Sequence, residues 1–425
     1  MDPLTDPRIA SLRRLLSSGF VRQVGETYLT QLAVVVLGFV NSVLVTRLLG
    51  PSGRGLFAVA ITVTGVGVQI ANLGLHSSNT YRVARDGRLL PVLVANSLAV
   101  SAFIGMVALA AYLVFRLWPE LAPLPDPLLA LALVAIPLGL ANLLAQNLLI
   151  GLQRMRTYNV IDLTTRILAV LLVASTALLG LVRPELVFAV IQATVVLSVA
   201  WCYLRLREQF ASPATPSWDT LRGGLGYGIK AYLGSLFAFL VLKSDVLLVS
   251  YLRGPVETGY YSIAVGLADI LLMLPAVIGT VLFPRLSAAP SLEEKWRLTR
   301  RVLALLAPSV PIALFVVLLG ARPFIRLAYG SAFDPSFPAV AWLLPGIGCV
   351  AVNMVLMNLL ASTGMPAVVA YSPLLALLLN VGANLVVIPR LGFVGASITS
   401  SASYLLMLLI SLGYLRFRLF RGGHA

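Results

Sequence analysis

Long apolar runs are the feature of this sequence that most constrains its fold. Each has about 20 or more residues, the length an α-helix needs to cross a bilayer core of about 30 Å. Strands of a membrane barrel would instead show short segments of alternating hydrophobicity. The runs therefore predict an all-α integral membrane protein with twelve transmembrane helices, at residues 26–48, 55–76, 89–115, 128–150, 160–182, 185–206, 226–252, 258–284, 300–321, 336–361, 366–388 and 393–416.

The composition agrees with this fold class. Hydrophobic residues make up 59% of the 425 residues and charged residues 11%, whereas a soluble domain has about 45–50% and about 25%. So much apolar surface must face lipid. The predicted domains are an amphipathic cytoplasmic segment, a six-helix lobe, a cytoplasmic linker, a second six-helix lobe and a cytoplasmic tail, at residues 1–25, 26–206, 207–225, 226–416 and 417–425.

The positive charges predict the orientation of these helices, because Lys and Arg concentrate on the cytoplasmic side of membrane proteins. With both termini in the cytoplasm, 20 of the 31 basic residues fall on the inner side and 8 on the outer side. The other three, Arg166, Lys230 and Lys243, lie within spans. The formal net charge of +15 is then explained by a surface that faces anionic lipids, and it requires no nucleic acid.

Two stretches of the sequence repeat at an offset of 204 residues. Residues 46–60 and 250–264 share Leu, Gly, Pro, Gly and Ala at matching positions, and both stretches join an odd-numbered span to an even-numbered one on the predicted outer side. A Gly-Pro pair suits the end of one helix and the start of the next. The repeat predicts two lobes of equal topology, related by a pseudo-two-fold axis along the membrane normal, with a cavity between them.

The sequence offers little that an enzyme would need. The glycine run at 223–228 has the composition of a phosphate loop, but it opens a predicted span and follows no strand. Cys202 and Cys349 lie in predicted spans without the spacing of a metal site or a disulfide. No metal cluster, nucleophilic triad or ATP-binding motif is present in the sequence. We therefore predict a secondary transporter without a resident cofactor.

Several motifs resemble one transporter family. The stretch 44–57 is similar to the first hairpin of the polysaccharide-biosynthesis flippases, the Wzx-type exporters of lipid-linked oligosaccharides. The stretches 243–248, 254–262 and 282–287 resemble the seventh and eighth spans of that family, and 389–396 resembles the connection between its last two spans. The wider MOP superfamily also contains the multidrug and toxin antiporters and the fourteen-span lipid II flippases.

This resemblance implies a function. The protein would carry a polyprenyl-diphosphate-linked oligosaccharide across the bacterial cytoplasmic (inner) membrane by alternating access. Its partners would be this substrate, membrane lipids, and the polysaccharide polymerase and glycosyltransferases of the same pathway. The alternative is a multidrug or toxin cation antiporter of the same superfamily, whose cavity would be dominated by acidic and aromatic groups.

Charged residues inside the membrane are costly, so each is a candidate site. Lys243 and Asp245 are two positions apart in the seventh span and therefore lie on different faces of it, whereas Asp162 and Arg166 have the spacing of an ion pair on the fifth. We predict that Lys243 and Arg166 line a cationic cavity, with Arg47 near its outer end. Arg and Lys would hold the diphosphate by charge-assisted hydrogen bonds.

A second candidate site combines one carboxylate with neutral oxygens. Asp245 lies deep in the seventh span, Asn380 and Asn384 share one face of the eleventh, and Thr399 and Ser400 lie on the twelfth. The resemblance implies a sodium site formed by these helices. Two other interpretations stay open: Asp245 carries a proton, or the Asn residues only form hydrogen bonds between helices.

Overall fold

The computed structural model describes residues 19–210, 213 and 215–421, which are almost entirely helical. Residues 1–18 of the predicted amphipathic segment and the end of the predicted tail lie outside this range. The helices of the described part are α1 (Gly19–Asn72), α2 (Leu75–Arg85), α3 (Leu90–Leu117), α4 (Asp126–Gly151), α5 (Met155–Leu178), α6 (Pro184–Arg207), α7 (Trp218–Arg253), α8 (Pro255–Ala288), α9 (Leu292–Ala328), α10 (Phe337–Ser362) and α11 (Val368–Arg421). Short 3₁₀ turns at Gly87–Leu89, Pro119–Leu121 and Ser331–Ser336 precede α3, α4 and α10.

Ten of these described helices, all except α2, are long and apolar enough to cross a membrane. Large apolar side chains such as Leu178 and Leu327 are almost fully exposed, as expected for a surface that faces lipid. The chain is therefore a multi-pass helical membrane protein, as predicted. The helix α7 begins at Trp218, within the segment that was predicted to be a linker.

The longest helices, α1 and α11, turn back on themselves. The side chains of Asn380 and Ser400 are joined by a 3.1 Å hydrogen bond, although 20 residues of straight helix would separate them by about 30 Å. Likewise Arg54 donates to the Ser42 hydroxyl at 3.5 Å, across 12 residues that would span about 18 Å. The non-helical residues are Gly50 in α1 and Gly392 in α11, both with positive φ. Gly50 lies between the predicted spans 26–48 and 55–76, and Gly392 lies between 366–388 and 393–416, so each turn lies where the sequence predicts a break.

The two copies of the sequence repeat adopt the same backbone conformation. Gly50 has φ 64° and ψ −177°, and Gly254 has φ 83° and ψ −177°. Glycine adopts such a conformation without the steric cost that a side chain would bring. The proline that follows each one, Pro51 or Pro255, then starts a new helical segment at a position where no backbone donor is needed.

Helices α1–α6, the N-terminal half, pack mainly on one another, and so do α7–α11, the C-terminal half. Contacts between the halves run mainly through α1, α2 and α3 on one side and α7 and α8 on the other. Each half has its own buried apolar cluster, which includes Leu128 and Phe188 in the first and Tyr261 and Leu343 in the second. Polar groups at the boundary between the halves therefore lie between two separately packed bodies.

The halves touch through a reciprocal contact at the predicted outer end. A Cβ atom on Gly55 would lie 1.8 Å from the carbonyl oxygen of Pro255, and one on Gly259 would lie 2.0 Å from that of Pro51. The repeat offset of 204 residues relates Pro51 to Pro255 and Gly55 to Gly259. Each helix start therefore packs its proline against the glycine of the equivalent helix, at a distance that only glycine permits.

The halves also touch at the predicted inner end. Gly74 and Gly228 approach so closely that a Cβ on either would lie less than 3 Å from the other's carbonyl oxygen. The Tyr232 hydroxyl donates to the backbone carbonyl of Gln69 at 2.6 Å, and Arg82 donates to that of Thr220. The two halves therefore contact each other at both the predicted outer end and the predicted inner end.

Candidate functional site

Lys243 and Asp245 lie on different faces of α7, as predicted. Asp245 is buried, with 1% of its surface exposed, whereas the Lys243 side chain is 22% exposed. Residues two positions apart are separated by roughly 200° around the helix axis. One face of α7 therefore brings a carboxylate into the interior of the C-terminal half, and another presents a cation to a more open region.

Asp245 is held by three hydrogen-bond donors from three helices. The backbone N–H of Val246 donates to Oδ1 at 2.8 Å. The Tyr261 hydroxyl on α8 donates to Oδ2 at 2.5 Å, and the Ser400 hydroxyl on α11 donates to the same oxygen at 2.9 Å. Such donors offset the cost of taking a carboxylate out of water.

The predicted neutral ligands continue from Asp245 as a chain of hydrogen bonds. Asn380 donates from Nδ2 to the Ser400 hydroxyl at 3.1 Å, and Asn384 donates to Asn380 Oδ1 at 3.0 Å. The Thr399 hydroxyl donates to Asn384 Oδ1. The turn of α11 at Gly392 makes these contacts possible. The structure therefore brings all five predicted coupling residues into one connected network.

The donor set fits a small hard cation. It offers one carboxylate, two carboxamide oxygens and two hydroxyl oxygens, and hard cations prefer such oxygen ligands. No group of three or more His, Cys, Asp or Glu side chains that could hold a metal ion occurs in the described part of the chain. The same network also fits a proton on Asp245.

Lys243 forms an ion pair across α7 and α8. Its Nζ lies 2.7 Å and 3.0 Å from the two carboxylate oxygens of Asp269, whose side chain is 52% exposed. Neither side chain of the pair is fully buried. An anionic ligand that binds Lys243 must compete with Asp269, so binding and separation of this pair would be linked.

Arg166 lies in the N-terminal half, on α5. It pairs with Asp162 at 3.5 Å, as the spacing predicted, and its side chain is 56% exposed while that of Asp162 is 12% exposed. Both line a cavity of about 140 Å³ together with polar side chains that include Asn41 and Asn142. The Asn41 Oδ1 atom is buried and has no hydrogen-bond partner among the described residues. An acceptor without a donor beside a cavity is a place where a ligand or water can donate.

Arg47 lies at the predicted outer end, bonded to the backbone. Its Nε donates to the carbonyl of Ala328 at 2.8 Å and its Nη2 donates to that of Leu327, at the C-terminal end of α9. A cation at a helix C-terminus is favourable, so Arg47 joins the two halves there. Of the three predicted cations, Arg166 lines the cavity of about 140 Å³, and Lys243 and Arg47 are not part of its lining.

Two residues of this region were missed from the sequence. In the sequence Tyr261 is distinctive only as part of the motif 254–262, yet it is the donor that connects α8 to Asp245. Arg54 is one of the charges on the predicted outer side, yet its Nε donates to the Ser262 hydroxyl at 3.1 Å across the boundary between the halves. Its guanidinium also lies 5.7 Å from the Phe57 ring centroid. The one feature of the sequence that could have drawn attention to Arg54 is its position inside the duplicated stretch 46–60.

Solved structures with the same fold are transporters. The lipid II flippase MurJ in an inward closed conformation matches with a TM-score of 0.73 and 13% identity, over 92% of this chain and 87% of that one. An inward-facing multidrug resistance MATE family transporter of the MOP superfamily also matches with a TM-score of 0.73, at 14% identity over 92% of this chain and 96% of that one. The fold is therefore that of the MOP superfamily.

Curated relatives are also similar in sequence. The succinoglycan biosynthesis transport protein ExoT of Rhizobium meliloti is 25% identical over 372 residues, which is 85% of this chain and 73% of that protein. The probable low-salt glycan biosynthesis flippase Agl15 of Haloferax volcanii is 21% identical over 239 residues, 56% of this chain and half the length of the archaeal protein. The family model for polysaccharide biosynthesis proteins matches residues 20–289, which is more than half of the chain. The chain therefore belongs to the polysaccharide biosynthesis protein family.

Proposed function

We propose that this protein is a flippase that moves a polyprenyl-diphosphate-linked oligosaccharide across the bacterial cytoplasmic membrane. The observation that carries the proposal is the arrangement on α7. Lys243, in a partly exposed ion pair with Asp269, and the buried Asp245 carboxylate lie on different faces of this one helix. A movement of α7 would then link an anionic substrate at Lys243 to an ion at Asp245. The names of the two curated relatives and the MurJ-like fold support the class of substrate.

The proposed architecture has twelve crossings in two six-helix lobes, with both termini in the cytoplasm. The two turns in α1 and α11 support this number, because each adds one crossing to the ten apolar helices. The reciprocal packing at Gly55 and Gly259 supports a pseudo-two-fold axis. The excess of basic residues on the inner side supports the orientation.

The mechanism follows from the chemistry of the substrate. A sugar diphosphate cannot cross hydrocarbon unaided, whereas its polyprenyl tail is stable in lipid. The protein needs only a polar cavity between the halves, with a side opening for the tail. Lys243 and Arg166 would hold the diphosphate by charge-assisted hydrogen bonds, and Arg47 would act at the outer end. Glycosyltransferases would supply the substrate, and a polymerase would consume it outside.

Coupling would come from a cation at the Asp245 network. Sodium or a proton bound there would neutralise Asp245 and change its bonds to Tyr261 and Ser400, which come from α8 and α11. Because α8 contacts α1, this change would reach the boundary between the halves. Rocking of the halves would then open each end in turn, as in other transporters with repeats.

The test of this proposal is the substitution Lys243→Ala. We expect it to abolish complementation of a flippase-deficient strain at normal membrane abundance, because the cation that holds the diphosphate is lost. Lys243→Arg should restore part of the activity, since charge survives but geometry changes. The matched control is Lys295→Ala, which removes the same charge from the predicted cytoplasmic end, where Lys295 donates to the Ser362 carbonyl.

Substitutions in the Lys243–Asp269 ion pair also distinguish a flippase from a multidrug antiporter. A cationic drug would need Asp269, and Lys243 would only compete with it. The antiporter therefore predicts that Asp269→Asn abolishes transport while Lys243→Ala is tolerated. Full complementation by Lys243→Ala would contradict the flippase mechanism.

Alternating access is tested at the outer contact. A Cβ on Gly55 would lie 1.8 Å from the Pro255 carbonyl oxygen, so Gly55→Ala should hold the outer end open and reduce transport. We expect faster labelling of a cysteine introduced as Ser262→Cys by a membrane-impermeant maleimide. The control is Gly320→Ala, since no atom lies within 4 Å of a Cβ there. Unchanged labelling in Gly55→Ala would contradict closure at this contact.

A further inference from the structure

A second cavity, lined by several arginines, lies away from the boundary between the halves. It has a volume of about 280 Å³ and lies where α4 ends, α5 begins and α6 ends, on the predicted cytoplasmic side. Three arginines line it, Arg154, Arg156 and Arg205, against one carboxylate, Glu208. The cavity therefore has an excess of positive charge.

The arginines are only partly neutralised. Arg205 donates to both carboxylate oxygens of Glu208, at 3.1 Å and 3.2 Å, and Arg154 donates to the neutral Gln209 Oε1 at 2.8 Å. No carboxylate within the described ranges lies in ion-pair distance of Arg156. The cavity also lies at the start of α5, where the helix dipole adds partial positive charge. An anion in the cavity would be attracted both to the arginines and to the N-terminal end of α5.

An apolar surface continues from this cavity along α5. Val160 lines the cavity and is 45% exposed. Ile167 and Leu171 are 41% and 60% exposed and lie 7 and 11 positions further on, which places them on the same helix face. Trp201 lines the other wall of the cavity, and Trp is typical of the membrane interface. The site therefore combines a cationic recess with a hydrocarbon-facing path.

We propose that this cavity binds the phosphate headgroup of an anionic phospholipid of the cytoplasmic leaflet, with an acyl chain along Val160, Ile167 and Leu171. Basic pockets between transmembrane helices on this side suit lipid phosphates. The site is separate from the proposed transport cavity, because Arg156 lies ten residues before Arg166 on α5, about 15 Å along the helix. Its position in the inner leaflet rests on the proposed topology.

The test uses the full-length protein in detergent with phosphatidylglycerol as the probe and phosphatidylcholine as the neutral comparison, and bound lipid is counted by native mass spectrometry. The variant is Arg156→Ala combined with Arg205→Ala. We expect its affinity for phosphatidylglycerol to fall about 30-fold, from the loss of two interfacial cations at about 1 kcal/mol each. Binding of phosphatidylcholine should not change. Arg156→Lys should retain part of the affinity, which separates charge from misfolding.

The matched control is Arg297→Ala combined with Arg300→Ala, which removes two exposed arginines from α9 on the same predicted side. An equal loss in the control would show that any basic surface suffices and would overturn the site. Farnesyl diphosphate provides a second arm. If it displaces phosphatidylglycerol, and the double variant at Arg156 and Arg205 removes that effect, the cavity receives the transported lipid and the phospholipid proposal is wrong.

Discussion

The C-terminal half buries its polar site, whereas the N-terminal half leaves its polar site open. Around Asp245, the residues Asn380, Asn384, Thr399 and Ser400 are at most 4% exposed, and hydrogen bonds connect them all. In the N-terminal half, Arg166 is 56% exposed beside a cavity of about 140 Å³. A closed network is suited to a small ion, and an open cavity is suited to a larger polar ligand.

The two halves also differ in the free-energy cost of holding a charged side chain. Burying Asp245 requires donors that compensate for lost water, and three are present. The Asp162–Arg166 pair keeps access to solvent, and such pairs contribute only about 0–1 kcal/mol. Changing the charge of the buried carboxylate should therefore rearrange its surroundings much more than changing the exposed pair.

The largest expected effect comes from Asp245→Asn. The amide keeps the size of the side chain but cannot carry the negative charge that attracts a cation. We expect the response of transport to an imposed sodium gradient in proteoliposomes to fall by about 5- to 150-fold, the usual range of coupling between two sites. Substrate binding should persist.

The equivalent change in the other half is Asp162→Asn, which should leave the response to the gradient intact and so separate the two sites. Transport that ignores sodium and follows a proton gradient would make Asp245 a proton carrier. If transport by the unmodified protein responds to neither a sodium gradient nor a proton gradient, the proposed coupling site in the C-terminal half is wrong.

Most of the Asp245 network could be predicted from the sequence, because a carboxylate within an apolar run and an i, i+4 Asn pair are visible there. The contact of Tyr261 with Asp245 and the pairing of Asp269 with Lys243 could not be predicted, since both depend on how α8 is positioned against α7. The position of the C-terminal end of α9 likewise decides what Arg47 contacts. No local pattern in the sequence predicts that this helix end lies beside Arg47. The helices and the break near Gly392 follow from the lengths of the apolar runs, whereas the contact of Asn380 with Ser400 across that turn depends on packing.

An intermediate effect is expected from Asn384→Ala. This change removes the donor to Asn380 Oδ1 and the acceptor for Thr399 in a region without solvent. We expect a loss of about 1–3 kcal/mol, the cost of unsatisfied buried groups, measured as a lower melting temperature in detergent. Asn142→Ala is the comparison in the N-terminal half. Asn142 accepts from Ser198 beside the open cavity, so water can replace it, and an equal loss in both variants would contradict the contrast.

The smallest expected effect concerns pH at the predicted inner end of the N-terminal half. His76 on α2 is partly buried, and burial lowers the pKa of its imidazole below the usual 6.5. Its Nδ1 lies 2.6 Å from Asn72 Nδ2 and acts as the acceptor, because Asn72 Oδ1 already accepts the His76 backbone N–H at 3.1 Å. Protonation of Nδ1 would place two donors against each other.

Since the pKa of His76 is lower in the folded protein, the unfolded chain takes up the proton first as the pH falls. The stability that the neutral imidazole contributes is therefore present above the unfolded pKa and is lost as the pH drops through 6.5 toward the lower folded value. We expect the melting temperature to fall slightly between about pH 7.5 and about pH 5.5, the range in which histidine titrates. His76→Gln should flatten this slope, because Gln keeps a polar side chain without a titrating group. An identical slope in the variant would show that His76 does not sense pH.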